Sequence, residues 1–344
     1  MNELTVGLAI VGGVVLAGVV AHGAWQARRA GPRRAEPPVA APAPPQLEPV
    51  LGDSARAGPD AGLLRSLPRR ASPKLDALID AIASLRPEAV LTGDLVLAHL
   101  PPTRRVGSKP FWVEGLNAAT GEWEGVAPGA HYRELQAGVQ MANRSGALNE
   151  IEYSEFVQKV QALADAVSAM AELPDMLDVV ARARELDAFA GAHDAQLALH
   201  LKANSAAWSV GYIQQTAARH GFVAGAVPGR MVLPAAHDGA PAVMVLGYDA
   251  QAALADDSER AAVRDLTLSL DVAQTDAAQR PFAAWQSNAQ ALAAEMNGQL
   301  VDDQGQPLTD AGFASIGAEL DRLYAALAEH DLAAGSAAGR RLFS

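Results

Sequence analysis

The stretch QLALHLKA, residues 196–203, alternates apolar and polar side chains along its whole length. Leu197, Leu199 and Leu201 fall on one side of an extended chain, because successive side chains of a β-strand point to opposite faces. The stretch DLTLSLD, residues 265–271, repeats the pattern with three further leucines. Both patterns predict strands that bury a leucine face against helices. The other face would carry the polar side chains His200, Lys202, Thr267 and Ser269.

Turn and cap residues divide the rest of the C-terminal half into helices and strands. Gly221 and Asn297 stand where helices would end, and Thr309 stands where the last helix would begin. The predicted helices are Trp208–His220, Phe282–Met296 and Thr309–His330. The predicted strands are Arg230–Pro234, Pro241–Tyr248 and Gln299–Val301, with turns at His237-Asp238-Gly239 and Asp302–Gly305.

Residues 74–195 show a similar rhythm, so we expect an α+β body with two halves. The predicted elements are strands at Phe111–Leu116 and Tyr132–Ala142 and helices at Ser154–Met170 and Pro174–Phe189, while Leu75–Leu85 fits a strand or a helix. The tetrapeptide Gln-Ala-Leu-Ala occurs at 161–164 and 290–293, in the penultimate helix of each half. This indicates two related halves, or it is coincidence in an alanine-rich chain.

Residues 4–25, LTVGLAIVGGVVLAGVVAHGAW, contain no charged side chain. A bilayer core about 30 Å thick takes about 20 apolar residues, so this stretch predicts a single transmembrane helix. Positive charge marks the cytoplasmic side of such a helix. The arginines that follow it are Arg28, Arg29, Arg33 and Arg34. We therefore expect an inner-membrane protein with residues 1–3 in the periplasm and the body in the cytoplasm.

A cleaved signal peptide is the competing interpretation of residues 4–25. It requires basic residues before the apolar stretch, where Glu3 is the charged side chain present.

Small residues recur every four positions within the anchor, at Ala9, Gly13, Ala17 and Ala21. Such a stripe lets two anchors pack closely, so it indicates self-association, or it simply reflects the alanine-rich composition.

Residues 26–73 form the predicted juxtamembrane segment and linker. Ten of the 21 prolines lie between residues 31 and 73. Proline lacks the N–H that helices and sheets need and favours extended polyproline II, so a disordered spacer is expected. Extended at about 3.1 Å per residue, the spacer would reach on the order of 100 Å from the membrane.

The composition and the absence of catalytic motifs argue against several classes of function. Residues 74–344 carry 19 Lys/Arg against 34 Asp/Glu, a poor balance for binding nucleic acid, whose phosphates require basic side chains. The chain has no cysteine, and no phosphate-binding loop or metalloprotease motif occurs. Adjacent His-Asp pairs at 193–194, 237–238 and 330–331 leave a hydrolase open as an alternative. We expect no catalytic residue, no metal and no cofactor.

A basic loop, Pro101 to Lys109, is unusual in so acidic a body. It contains Arg104, Arg105 and Lys109, three cations able to hold a carboxylate-bearing peptide or a phosphate. The alternative is an ordinary solvated loop.

The order of these segments resembles the ZipA family of bacterial cell-division proteins. The anchor ending in Val20-Ala21-His22-Gly23-Ala24-Trp25 is followed by arginines, a Pro-rich linker and an α/β body. The segments Tyr212-Ile213-Gln214-Gln215 and His220-Gly221-Phe222 are similar to the first helix of the ZipA C-terminal domain. Gly298–Gln304 resembles its closing strand and turn. The resemblance covers the anchor and residues 196–335, while residues 74–190 have no counterpart. Residues 336–344 are expected to form a tail.

The resemblance implies a split β-α-β domain, an antiparallel sheet with helices on one face, whose open face binds the C-terminal tail of the tubulin-like protein FtsZ. This implies a non-enzymatic tether between FtsZ and the membrane lipid. Polar positions on that face would be His200 and Ser269. Apolar contacts would come from Val227, Met231, Val243 and Val245, unless these residues serve sheet packing instead. The alternative is a membrane-anchored module for another envelope partner, for which the basic loop would be the site.

Overall fold

The computed structural model of the chain describes residues 75–235 and 240–344. The predicted anchor, its four arginines and the linker lie outside these ranges, as does the turn predicted at 237–239. Among the described helices, none is both long enough and apolar enough to cross a membrane. The described chain is α+β, and it contains an N-terminal unit (residues 75–195) and a C-terminal unit (residues 196–335), each with its own antiparallel sheet.

The N-terminal unit is built on a seven-stranded antiparallel sheet beside a small hairpin. Its strands are β1 (Asp80–Pro87), β2 (Leu91–Thr92), β3 (Arg105–Val106), β4 (Lys109–Asn117), β5 (Trp123–Gly125), β6 (His131–Gln140), β7 (Ala142–Asn143), β8 (Gly146–Ala147) and β9 (Ala169–Glu172). Its helices are α1 (Gly93–His99), α2 (Glu150–Ala166) and α3 (Met176–His193). The sheet has the order β3-β4-β6-β1-β9, with β2 beside β6 and β5 beside β4, while β7 and β8 form the hairpin.

The structure settles one open prediction in this unit and corrects another. The ambiguous stretch 75–85 ends in a strand, because Ala81, Ala83 and Leu85 alternate into the core. The helix predicted to run to Met170 ends at Ala166. Ser168 has φ 52°, a left-handed conformation that takes the chain out of the helix and into strand β9.

The C-terminal unit contains a six-stranded antiparallel sheet and four helices. Its strands are β10 (Gln196–Ala203), β11 (Trp208–Ser209), β12 (Val223–Ala224), β13 (Arg230–Leu233), β14 (Met244–Gly247), β15 (Ala262–Val263), β16 (Asp265–Asp271) and β17 (Gly298–Val301). Its helices are α4 (Val210–Arg219), α5 (Ala250–Ala253), α6 (Pro281–Met296) and α7 (Asp310–Glu329). The sheet has the order β12-β13-β14-β16-β10-β17, and β11 pairs with β15.

The elements predicted for this half are present, with ends shifted by a few residues. The prediction succeeds because capping residues that are recognisable in the sequence determine where the helices begin and end. The Thr309 hydroxyl accepts a hydrogen bond from the Gly312 N–H and begins α7. Asn297, with φ 53°, ends α6 in the left-handed region. Gly221, with φ 86°, follows α4 in the same region, which glycine enters without steric cost.

Two tryptophans fix the core of the C-terminal unit. Trp208 and Trp285 are fully buried, and each indole N–H donates to a backbone carbonyl, at 2.9 Å to Met296 and at 3.1 Å to Leu268. The leucine face of the sheet packs against them. Each buried leucine contributes about 1.5–3 kcal/mol relative to an exposed one, so the alternation seen in the sequence is a main source of stability.

The two units repeat one topology. In each sheet the second inner strand (β6 or β16) lies beside the first (β1 or β10), and the last strand (β9 or β17) adds to the outside of the first. A helix, α2 or α6, connects β6 to β9 and β16 to β17. The left-handed residues Ser168 and Asn297 each stand at the start of this last strand. Origin by duplication stays a prediction, but the shared topology makes positions of the two sheets comparable.

The C-terminal residues 336–344, expected to be a tail, instead form helix α8 (Ala337–Leu342) and join the two units. Leu342 and Phe343 are fully buried in a core with Ile79 of the N-terminal unit and Leu327 of the C-terminal unit. The sequence alone gives little indication of helix α8, because so short a helix becomes stable only through the contacts it makes.

Candidate protein-binding face

Among the described residues, the helices of the C-terminal unit pack on one face of its sheet and leave the other face open. Side chains of α4, α6 and α7 share a core with Leu199, Leu246 and Leu268 on the other face. Because side chains alternate along a strand, the residues next to these leucines point away from the helices. We call this surface of β12, β13, β14, β16 and β10 the open face.

An apolar row crosses the open face from strand to strand. The register pairs Val223 with Val232, Val232 with Val245, Val245 with Ser269, and Ser269 with Ala198. All five side chains are partly or fully exposed. Directly opposed residues of neighbouring strands lie close enough to touch, so they form one continuous strip. We call these five residues the apolar row.

A polar row runs beside the apolar row, two residues further along each strand. It contains Arg230, Thr267 and His200, aligned through Gly247. His200 Nδ1 lies 2.9 Å from Asp265 Oδ1, which fixes the orientation of the imidazole at the edge of the face. A partner lying on the apolar row would therefore meet hydrogen-bonding groups along one side.

A groove of about 840 Å³ follows these two rows. Residues that line it include Val243, Val245, Thr267, Ser269, His200 and, from the N-terminal unit, Arg144. The Arg144 guanidinium donates to both Asp194 and Asp271, at distances of 2.6 to 3.0 Å. These bonds, with Asp194 the stronger partner, raise the pKa of Arg144. The end of the groove is thus held in place by a contact between the units.

The structure brings together most, though not all, of the residues that the sequence suggested. Val245, Ser269 and His200 lie on the open face, and Val243 lines the groove. Met231 does not, because it is 4 % exposed and packs into the core opposite. Val227 is half exposed in the turn after β12 and is not part of the groove lining.

Sequence reasoning missed Val232, which takes the place expected of Met231. Met231-Val232-Leu233 is apolar at every position, so the sequence does not tell which face each residue joins, and a shift by one residue exchanges the faces. Arg144 was also missed. Its partners lie 50 and 127 residues away, too far for any local pattern to indicate.

The basic loop differs from the expected cluster of three exposed cations. Lys109 is 1 % exposed, and its ammonium donates to Ser108 Oγ at 2.8 Å and Asn143 Oδ1 at 3.0 Å. Burial lowers the pKa of Lys109. Donors of the turn already face carboxylates of α2: the Gly107 N–H donates to Glu155, and Glu152 accepts from the N–H and hydroxyl of Ser108. Arg104 and Arg105 remain exposed, without the third cation.

The histidines at 193 and 330 have structural partners. The His193 ring stacks on Phe189 with ring centroids 4.2 Å apart, and the His330 ring lies tilted against Phe189 at a centroid distance of 4.5 Å. The Nδ1 atom of His193 lies 2.8 Å from the carbonyl oxygen of Phe189. Within the described ranges, no group of three or more His, Asp or Glu side chains is arranged to hold a metal ion.

The matching face of the N-terminal sheet already holds a side chain of this protein. The positions that correspond to Ala198, Ser269 and Val245 are Ile82, Gly138 and Trp112, which pair in the same way. Leu75 lies directly over Gly138, so closely that a Cβ atom there would stand 2.5 Å from Leu75 Cδ2. An apolar side chain therefore sits at the point that corresponds to the middle of the apolar row.

Comparison with known protein families gives a match within the C-terminal unit. Residues 250–319 match the family model described as ZipA, C-terminal FtsZ-binding domain. The matched segment runs from α5 into α7 and contains β16, which carries Thr267 and Ser269. No curated protein matches the chain. The family match confirms the resemblance seen in the sequence for residues 250–319, about a fifth of the chain.

Proposed function

We propose that this protein is a non-enzymatic membrane tether that binds the C-terminal tail of FtsZ on the open face and so anchors or stabilises the division ring at the inner membrane. The observation that carries the proposal is the match to an FtsZ-binding domain on a unit whose sheet presents a continuous apolar row. Membrane anchoring rests on residues 4–25, and their orientation rests on the arginines that follow.

The open face suits a short peptide better than a large globular surface. The apolar row spans five strands, about 20 Å at 4.8 Å per strand, a length that six extended residues cover. Leu75 supports this geometry, because it shows that an apolar side chain fits the corresponding position of the N-terminal sheet. Burying two or three such side chains contributes about 1.5–3 kcal/mol each before the entropy of ordering the peptide is subtracted, so we expect binding no tighter than micromolar.

Micromolar affinity is sufficient for a tether because both partners are multivalent. FtsZ filaments present many tails, and a membrane presents many anchored copies. Linked binding events raise the apparent affinity by about 10²–10⁴ without new contacts, provided that the linker spans the sites. The Pro-rich spacer at residues 26–73 supplies that reach.

The alternative, a module for another envelope partner, depends on the basic loop. The burial of Lys109 and the hydrogen bonds from Ser108 to Glu152 reduce what this loop offers to an anion. The observations therefore favour FtsZ as the partner.

Co-sedimentation with FtsZ filaments tests the proposal. Residues 26–344, which lack the predicted anchor, should pellet with filaments of intact FtsZ and remain soluble with filaments of FtsZ that lacks its C-terminal tail. The control is sedimentation of the protein alone. Equal pelleting with both kinds of filament would contradict recognition of the tail.

A further inference from the structure

We propose that the N-terminal unit takes part in binding the FtsZ tail, and that Arg144 presents the flat face of its guanidinium group to an aromatic side chain of the bound peptide. This inference rests on the proposed function, because it assigns a contact within the same groove. It gives residues 75–195 a role in recognition. The position of Arg144, its bonds and the charges around it support the inference.

Arg144 stands on a fixed turn of the N-terminal unit. It lies between β7 and β8, where the Ser145 N–H donates to Asn143 Oδ1 at 3.0 Å. The same Oδ1 atom accepts from the buried ammonium of Lys109 at 3.0 Å. The backbone N–H of Arg144 donates to the carbonyl oxygen of Ser344, 3.4 Å away and just beyond helix α8. The backbone from which Arg144 reaches the groove is therefore held by both ends of the described chain.

The guanidinium group of Arg144 is bonded along its edges, which leaves its flat faces for other contacts. Asp194 accepts from Nε at 2.8 Å and from Nη2 at 2.6 Å, while Asp271 accepts from Nη1 at 2.7 Å and from Nη2 at 3.0 Å. These bonds use four of the five N–H groups of an arginine, all of which lie in the plane of the guanidinium. The Arg144 side chain nevertheless keeps 27 % of its surface exposed. What it offers to the groove is therefore chiefly a flat, positively charged surface.

Arg144 borders the apolar row on the side opposite to the polar row. Its partner Asp271 lies two residues beyond Ser269 on the open face of β16, whereas Thr267 of the polar row lies two residues before Ser269. Two residues of a strand span about 7 Å. Both Arg144 and Ser269 line the groove. A large side chain that lies on Ser269 or on the paired Ala198 therefore reaches the guanidinium.

The charges around Arg144 favour an aromatic side chain over an acidic one. One guanidinium faces the carboxylates of Asp194 and Asp271, so the three groups together carry a negative charge and do not attract a further anion. The face of a guanidinium attracts the electron-rich face of an aromatic ring. Two ion pairs already fix the orientation of this guanidinium, so little side-chain entropy is lost when a ring stacks on it.

The binding site would then span both units. The C-terminal unit supplies the apolar row, and the N-terminal unit adds a surface for stacking beside it. The burial of Leu342 and Phe343 between the units keeps that surface in place. Arg144 would be a specificity-determining residue that lies outside the segment matched by the family model.

A double-mutant cycle on the full chain in lipid nanodiscs tests this inference, with fluorescence anisotropy of a labelled FtsZ tail peptide as the measurement. Arg144→Met should weaken binding of the unaltered peptide by about five- to twentyfold. Arg144→Lys should weaken it to a similar extent, because lysine keeps the charge but has no flat face. Each aromatic residue of the peptide is then replaced by leucine in turn. Against the peptide that lacks the stacking ring, both variants should lose less than about twofold.

Arg322→Met is the matched control. It removes an exposed arginine of α7, a helix that packs on the covered face of the sheet. It should leave the affinity for every peptide unchanged.

The outcomes separate this inference from the proposed function. Loss of binding in Val245→Glu together with wild-type affinity in Arg144→Met would overturn the inference alone. An equal loss in Arg144→Met against every peptide would also overturn it, because Arg144 would then serve only to join the units. Coupling of Arg144 to an acidic or a basic residue of the peptide, instead of an aromatic one, would overturn it as well. Absence of binding by the wild-type chain would contradict both proposals.

Discussion

Val245→Glu is expected to weaken binding of an FtsZ tail peptide by roughly thirtyfold or more, the effect of losing about 2 kcal/mol at the centre of an interface. Val245 is the middle residue of the apolar row, between Val232 and Ser269. A carboxylate there must lose its hydration when the peptide binds, and the adjacent Val232 offers it no hydrogen bond in return. Fluorescence anisotropy of a labelled tail peptide measures the change.

A matched variant separates this local effect from a general effect of added negative charge. Val90→Glu places the same side chain at an exposed valine of the N-terminal unit and should leave the affinity unchanged. Met231→Glu is not a suitable test, because Met231 lies in the core and its substitution would unfold the unit. Similar affinities of the wild-type protein and Val245→Glu would show that the apolar row does not bind the peptide.

Arg341→Met is expected to lower the free energy of unfolding by about 3–5 kcal/mol, as when one partner of a buried ion pair is removed. The Arg341 guanidinium of α8 binds Asp80 of β1 through two hydrogen bonds of 2.9 and 2.5 Å. The Asp80 side chain is fully buried. Without Arg341 its carboxylate would be left in the core between the two units. Urea denaturation measures the loss.

The pH dependence of this variant has a defined sign. Burial raises the pKa of Asp80 above its ordinary value, although Arg341 opposes the shift. A carboxyl group whose pKa is raised by folding contributes stability below its unfolded pKa and loses it as the pH rises through the folded pKa. Removing Arg341 raises the folded pKa further. The deficit of Arg341→Met should therefore be smaller at about pH 5 than at about pH 7.5.

Two further variants complete the test of the ion pair. Asp80→Asn combined with Arg341→Met should recover part of the loss, because no charge remains buried. Arg322→Met removes a similar contact, to Glu319, at a site where both side chains are about 70 % exposed. It should cost at most about 1 kcal/mol. Equal losses for Arg341→Met and Arg322→Met would show that α8 does not join the units in this way.

Strict alternation and helix caps explain why much of the C-terminal unit was predictable. Strand β10 has the predicted bounds, since leucine at every second position is incompatible with one face of a helix. Thr309 and Asn297 fixed the ends of the two long helices because a cap acts through bonds within one turn. Such local signals are sufficient to predict elements and to place the open face.

The remaining features depend on contacts between distant residues. The sequence suggested Met231 rather than Val232 for the open face, because both residues are apolar and the pattern does not distinguish them. The sequence predicted an exposed Lys109, because its acceptor Asn143 lies 34 residues away and no local pattern indicates the contact. The docking of α8 depends on Asp80, which is 261 residues from Arg341. Composition and periodicity indicate whether a residue tends to be buried or to form hydrogen bonds. They do not indicate which distant residue it will contact.

An NMR titration shows directly whether the open face of the C-terminal sheet binds the FtsZ tail peptide. Residues 26–344, labelled with ¹⁵N, would be titrated with the unlabelled peptide. The largest chemical-shift changes are expected in β13, β14, β16 and β10, around Val232, Val245 and Ser269. Changes confined to the N-terminal unit, or no changes at saturating peptide, would contradict recognition of FtsZ by the open face of the C-terminal sheet.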